Sequence, residues 1–441
     1  MILIYVNFIT YKYITMIYLK NATFIDWQSL DFKETNILVD EGENGKIKLL
    51  DNLAFEKLEP IKDLKTIDCK GKLVTKSFAL GHHHVYSALA KGMNAPKKIP
   101  TNFYEILEYV WWTLDKALDK DMIEASALAT AIACAKAGST FAIDHHASPN
   151  FINGSLEIIA KAFDKVGVSH LLCYEITDRD GMKKAEQGIA ESENYLKNRQ
   201  ALVGLHASFT VGNDSMKKAT DLMNKYNSGF HIHVAEDLYD QKHSVENYGK
   251  RVVERLNDYG VLNSSKTILG HCLHIDENER KLIKDSKVYV VQNTESNLNN
   301  NVGYFNAENL SNRIMFGTDG MHSDMLRSAQ NAFFVGQGFD NIDYMSVYER
   351  FRMSHNYLAQ NNFAGDGENN LVVLDYKTAT PISKNNFLGH FVFGLNSSQV
   401  SQVISNGKLI VDNGIVTTVN EEDIMKFSQE QAVKLWAEMS K

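Results

Sequence analysis

The chain has 441 residues, 44% apolar and 23% charged, a composition that excludes a disordered or low-complexity protein. A formal charge of -8 gives no basis for nucleic acid or an anionic membrane as partner, and suits a cytoplasmic enzyme with a small substrate. The length exceeds what one core usually holds, so one large domain plus a smaller module is expected.

The apolar start, Met1 to Leu19, carries Lys12 as its only charge and lacks the basic start and cleavage site of a signal peptide. A strand-like run begins at Met16, so residues 1–15 read as an extraneous N-terminal extension. Residues 16–75 then alternate short β-type runs with turns: 17–19, 36–39, 46–50, 66–69 and 72–75. From residue 76 to 365 short apolar runs alternate with amphipathic stretches, the pattern of βαβ units. The strands fall at 78–82, 140–145, 169–175, 201–206, 229–234, 267–270, 288–292 and 313–317. Helices are expected over 102–118, 122–137, 155–166, 182–198, 215–226, 245–259 and 276–284. Eight such units predict a (β/α)8 barrel. An open doubly wound sheet is less well supported, since no Gly-x-Gly-x-x-Gly turn follows a strand. After residue 366 the β-type pattern returns, at 370–375, 390–393, 399–405, 408–411 and 414–419, before a helix over 423–439. The two β-rich flanks, 16–75 and 366–441, are expected to pair into one small sandwich. Cys69, Cys134, Cys173 and Cys272 form no Cys-x-x-Cys pair and read as reduced thiols in the core.

Four segments at predicted strand ends carry the chemistry. In Gly81-His82-His83-His84, strand alternation turns His82 and His84 to one side and His83 away. Two imidazoles so placed can grip one metal ion, although a polar strand end has the same sequence. Phe230-His231-Ile232-His233-Val234-Ala235-Glu236 adds an inward histidine, His233, and a carboxylate three residues on. Zinc hydrolases need such a carboxylate to move a proton; a surface glutamate is the competing reading of Glu236. His271 directly follows Gly270 at a strand end, where it is either functional or a neutral core histidine. Gly317-Thr318-Asp319-Gly320 ends the eighth strand with a carboxylate able to ligate a metal, or forms a tight turn. Each segment is weak alone; together they put three histidines and an aspartate on the barrel face where the βα loops converge. His145, His146, Arg179 and His322 are further candidates for lining a pocket. His170, His243, His274, His355 and His390 read as structural, and Trp111 and Trp112 as packing residues.

The order His-x-His, His-x-x-Glu, His, Asp resembles the amidohydrolase superfamily in its deaminase and chlorohydrolase branch, from Met16 to the C-terminus. Ile143-Asp144-His145-His146-Ala147-Ser148-Pro149, Cys173-Tyr174-Glu175-Ile176-Thr177-Asp178-Arg179, Asn293-Thr294-Glu295-Ser296-Asn297 and Phe316-Gly317-Thr318-Asp319-Gly320-Met321 are similar to phrases of SsnA-type aminohydrolases. The resemblance implies His82, His84, His233 and Asp319 as metal ligands and Glu236 as proton shuttle. It also implies that His271 hydrogen-bonds the attacking water, with Asp319 helping to orient it. His206, in Gly204-Leu205-His206, would face a small heterocyclic substrate, with His146 and Arg179 as further substrate contacts. Members with two metals carry a carboxylated lysine where His206 ends the fourth strand, so one divalent metal is implied, zinc by default and iron in some relatives. Homo-oligomers are a family-level expectation. The family's usual Pro-Gly before the first ligand is replaced by Lys76-Ser77, and a common Asn by Leu80. Deamination of a nitrogen heterocycle is the implied reaction. Ring opening of a cyclic amide or ureide is the enzymatic alternative, and a barrel that binds metal or ligand without catalysis is the other.

Overall fold

The computed structural model describes residues 16–51 and 64–441, and the extension read at residues 1–15 lies outside the described residues. Among the described residues, eight parallel strands form one sheet in chain order. They are β6 (Phe78–His83), β7 (Ser139–His146), β8 (Ser169–Ile176), β9 (Val203–Ala207), β10 (Phe230–Val234), β11 (Ile268–His271), β12 (Tyr289–Gln292) and β13 (Ile314–Phe316). The ring is completed just beyond β13, where Thr318 N–H donates to the His82 carbonyl at 2.9 Å and His84 N–H to the Asp319 carbonyl at 3.3 Å. The strands are buried on both faces, which is why they read as continuous apolar runs rather than alternating ones. This is the expected (β/α)8 barrel.

Two expected elements away from the cavity differ. The stretch 245–259 is not one helix: Leu238–Tyr248 ends at Gly249 in a left-handed conformation (φ 68°), and Val252–Asp258 follows as a second helix. Residues 390–393 are not a strand but the end of the helix Phe387–Phe393. Their aromatic and β-branched content suggested β structure, yet Phe387 and Phe391 stand one turn apart and both pack on Tyr348.

A nine-stranded sheet lies beside the barrel, also counted among the described residues. It takes β1 (Met16–Ile25), β2 (Phe32–Asp40), β3 (Ile47–Leu50), β4 (Lys65–Asp68) and β5 (Leu73–Lys76) from the N-terminal part. The C-terminal part supplies β14 (Leu371–Leu374), β15 (Val400–Ser405), β16 (Lys408–Asp412) and β17 (Ile415–Val416). The two sets meet where β5 pairs antiparallel with β14, Val74 opposite Val373.

The chain leaves β5 for β6 through Lys76-Ser77, the pair that replaces Pro-Gly. Lys76 Nζ lies 2.8 Å from Asp366 Oδ1 and donates to the Gly367 carbonyl at 2.6 Å. His355 Nδ1 sits 2.8 Å from the other Asp366 oxygen, and Ser77 Oγ bonds Thr140 Oγ1 at 2.6 Å. The departure is thus accommodated by a buried ionic network. Among the described residues no helix is long and apolar enough to cross a membrane.

Candidate metal centre and its cavity

The barrel's C-terminal rim assembles the site because several strands end there on functional side chains. β6 runs extended through His84, so His82 and His84 lie on one side, while His83 turns to Thr318, its Nδ1 3.0 Å from Oγ1. Close approach of the chain beyond β13 depends on Gly317: a Cβ there would overlap Asn293 Oδ1 and come 2.7 Å from Val291 Cγ1 and 2.8 Å from His82 Cβ. Asp319, His271 and Ala235, which precedes Glu236, are non-glycine residues in the left-handed region, with φ of 50°, 65° and 46°. Backbone held this way costs of order 1–3 kcal/mol per residue and clusters at functional sites.

His82 Nε2 is 3.2 Å and His84 Nε2 2.9 Å from Asp319 Oδ1, and His84 Nε2 is 3.2 Å from His233 Nε2. The four residues implied as ligands therefore converge. His271 joins the edge of the cluster, with potential ligand atoms of His82, His233, His271 and Asp319 all within 4.8 Å of one another. The far nitrogens of the rings are already engaged: His84 Nδ1 lies 2.6 Å from the His145 carbonyl and His233 Nδ1 3.0 Å from the His206 carbonyl. Since a carbonyl can only accept, both Nδ1 atoms carry the proton in the neutral rings. Two Nε2 lone pairs then face each other beside a carboxylate, an arrangement that a cation relieves. The ionisation directions agree. Burial pulls His82 down to about 3 and His233 well below its ordinary value, keeping them neutral. Burial also opposes a charge on His84, but Asp319 outweighs it and lifts that imidazole to about 9, so a positive charge, either a proton on His84 Nε2 or a cation that takes that proton's place on the lone pair, is held between His84, His233 and Asp319. Burial raises the Asp319 carboxyl, yet the flanking imidazoles hold it well below the carboxylate range. Three nitrogen donors and one carboxylate fit zinc or another first-row divalent ion.

Glu236 stands beside the cluster, Oε2 3.4 Å from His271 Nε2 and Oε1 accepting from Asn300 Nδ2 at 3.4 Å. Burial pushes its carboxyl up, against the pull of His271. His271 Nδ1 lies 2.8 Å from Asn297 Oδ1, which turns Nε2 toward Glu236 and Asp319. Asp240 braces the strained turn, its carboxylate accepting from Ala235 N–H at 2.9 Å and Phe209 N–H at 3.1 Å.

A cavity of about 580 Å³, its open mouth included, lies over the cluster and is lined by His84, His233, Glu236 and Asp319. His206 lines it too, its Nδ1 2.8 Å from Thr210 Oγ1. His146 and Arg179 do not: both stand behind the wall. His146 Nε2 is held by Ser148 Oγ at 2.9 Å, and Arg179 is drawn to Asp115 and stacks over Trp112 at 5.1 Å. His322 is likewise diverted, onto Glu295. Trp111 and Trp112 pack as expected but also form cavity wall, with Tyr86 and Phe103. A π turn at Leu107–Trp111 precedes Trp112 and breaks the expected single helix over 102–118.

Several residues escaped the sequence reading. His231 Nε2 approaches His82 Nδ1 at 2.8 Å. Its spacing from His233, two residues along one strand, was the available signal. Glu175 ends β8 inside the cavity, and a carboxylate closing an apolar strand was the same signal that marked Asp319. Asp115, on the helix Trp112–Ala117, had no sequence signal.

The amidohydrolase family model matches residues 81–410. A 5'-deoxyadenosine deaminase of Methanococcus maripaludis is 24% identical over 426 residues, covering 91% of this chain and 97% of that protein. A 5-methylthioadenosine/S-adenosylhomocysteine deaminase of Caldanaerobacter subterraneus is 26% identical over 405 residues, covering 86% and 90%. Among solved structures, a zinc-bound adenosine deaminase from Xanthomonas campestris superposes with a TM-score of 0.80 at 16% identity, covering 95% of this chain and 98% of that one. A zinc complex of an atrazine chlorohydrolase from Arthrobacter aurescens gives 0.79 at 16% identity, covering 94% and 100%.

Proposed function

Because the chain belongs to the amidohydrolase family, we propose that it is a metal-dependent aminohydrolase that removes an amino group from a nitrogen heterocycle as ammonia. The observation that carries this reading is the convergence of His82, His84, His233 and Asp319, with His271 at their edge and Glu236 beside it, at the floor of an aromatic cavity. A site for binding alone has no use for a buried carboxyl, Glu236, set beside the cluster and outside it. The deaminase relatives support the choice of reaction.

His82, His84, His233 and Asp319 would hold one divalent ion, zinc by the donor set. Such an ion supplies acidity, lowering the pKa of water from about 15.7 toward about 7. The protein's own residues do the rest. His271 Nε2 accepts a hydrogen bond from the attacking water, its ring fixed by Asn297. Glu236 takes one proton of the water as the oxygen bonds to the amino-bearing ring carbon, and passes it to the adjacent ring nitrogen, which receives the C=N electron pair. A carboxyl raised by burial is suited both to take a proton and to give it up. It then carries the remaining hydroxyl proton to the exocyclic nitrogen, the carbon–nitrogen bond breaks, and ammonia leaves a ring carbonyl behind. His206 faces the ring from the cavity wall.

The four free, buried cysteines support a cytoplasmic setting. We propose that the chain divides into a barrel at 76–365 and a composite sandwich at 16–75 and 366–441. The deciding experiment incubates metal-loaded protein with aminated purines, pterins and pyrimidines and measures ammonia. Release from at least one class is expected. Metal-loaded protein that opens cyclic amides and frees no ammonia would overturn the reaction assigned.

A further inference from the structure

The groups that would carry the reaction lie under a roof. His84, His206, His233 and Asp319 are all buried, the most open of them 7% exposed, and the Glu236 side chain is 12% exposed. A heterocycle reacting here must touch several of them, so it has to pass that roof. The roof is the stretch 103–117, from which Phe103, Leu107, Trp111 and Trp112 face the cavity.

The two ends of the roof are held differently. In its last part, Trp112–Ala117, Asp115 pairs with Arg179 and Lys116 Nζ lies 3.0 Å from Asp180 Oδ1. The Lys116 carbonyl also accepts from Asn150 Nδ2 at 2.7 Å. These partners follow β7 and β8, so this end is fastened to the barrel rim. The other end arrives exposed, with Ile99 84% open to solvent. Among the described residues, residues 94–106 make no hydrogen bond or ion pair to any residue outside 94–117. Asn102 caps the turn Phe103–Ile106 through Glu105 N–H at 3.0 Å, a bond within the stretch itself.

Ring packing closes this end over the site. The Tyr104 ring stands 5.0 Å from Tyr239 and 6.4 Å from Phe209, centroid to centroid, and Phe103 packs with Val302. Such contacts carry no directional bond, so a seam made of them can part and re-form. Under the seam a cavity of about 330 Å³, its mouth included, is lined by Tyr104, Phe209 and Tyr239 and reaches His206, His233 and Glu236. Parting the seam therefore opens straight onto the site. Between the free end and the fastened end lies the π turn Leu107–Trp111, where the helical bonding slips by one residue and a helix bends readily.

We propose that residues 94–106 are a lid that swings on the π turn, parting along the seam of Tyr104 with Tyr239 and Phe209 to admit the heterocycle. Closed, it keeps bulk water from the reaction. The proposal rests on the aminohydrolase reading for what the lid admits, but its test needs no turnover.

Thr101→Cys and Leu238→Cys put thiols on the two exposed sides of the seam, while the native cysteines are buried. The double variant joined by a short bis-maleimide is compared with the same protein capped by N-ethylmaleimide. Loaded with zinc, the capped protein should lose its metal to dipicolinate, a flat chelating ring, at least about 10-fold faster than the cross-linked one. Acrylamide quenching of tryptophan fluorescence, which needs no metal, should fall on cross-linking because Trp111 and Trp112 line the cavity. Tyr104→Ala, which removes the seam's central ring, should raise both readouts several-fold over wild type. Stripping and quenching that neither the cross-link nor Tyr104→Ala moves would overturn the lid. A chain that holds no zinc removes the metal reading, and quenching alone then decides the lid.

Discussion

At the residue scale, metal binding turns on which histidine nitrogen faces the centre. Carbonyl acceptors at His145 and His206 fix the proton on the far nitrogen of His84 and His233, so the near nitrogens present lone pairs. Glu236 sits outside that ligand set, and its role separates from metal binding. Glu236→Gln is expected to lower ammonia release by about 100-fold or more while metal content stays at the wild-type level. A parental rate would remove Glu236 from the mechanism. The four residues that converge stood out in the sequence because each lies near or just past the end of an apolar strand, a place where a polar side chain needs a reason. Asp115 was not legible, because a single aspartate on an amphipathic helix looks like solvated surface until the helix is packed against the barrel. His146 and Arg179 misled for the opposite reason. Each lies in or just after a strand near the rim, but local partners, Ser148 and Asp115, turn their side chains behind the wall.

Among elements, the barrel strands were readable to within a residue or two at most ends, since a short, continuous apolar run bounded by polar rims fits little besides a strand buried on both faces. The helix over 387–393 was not, because a short aromatic run satisfies both strand and helix periodicities until its neighbours decide. Elements approach closely at Gly317. Gly317→Ala should destabilise the fold by about 1–3 kcal/mol through overpacking against Val291 and His82, read as a lower urea midpoint. It should also weaken metal retention, since His82 is one of the groups displaced. An unchanged midpoint with full metal content would mean that β12 and β13 can part without cost.

On the scale of the whole molecule, the barrel and the nine-stranded sheet are tied at the Lys76, Asp366 and His355 network. Burial raises the Asp366 carboxyl, but His355 and Lys76 outweigh it and depress it to about 2. A depressed carboxylate stabilises the fold above its unfolded value near 3.8, and that contribution is lost as pH falls toward 2. Asp366→Asn should therefore cost on the order of 2 kcal/mol at pH 6, with the gap to wild type closing between about pH 4 and pH 2 in urea titrations. A gap independent of pH would assign the loss to packing instead. Replacement of Pro-Gly by Lys76-Ser77 was visible in the sequence; its buried partner, some 290 positions later, was not, because only the β5–β14 pairing brings the two together. The most direct test of the account is elemental analysis of the purified chain beside its His84→Ala and His233→Ala variants. One divalent metal per chain, zinc by the donor set, with loss of the ion in both folded variants, is the predicted result. A folded wild-type chain that takes up no divalent metal, even after incubation with zinc, would contradict it.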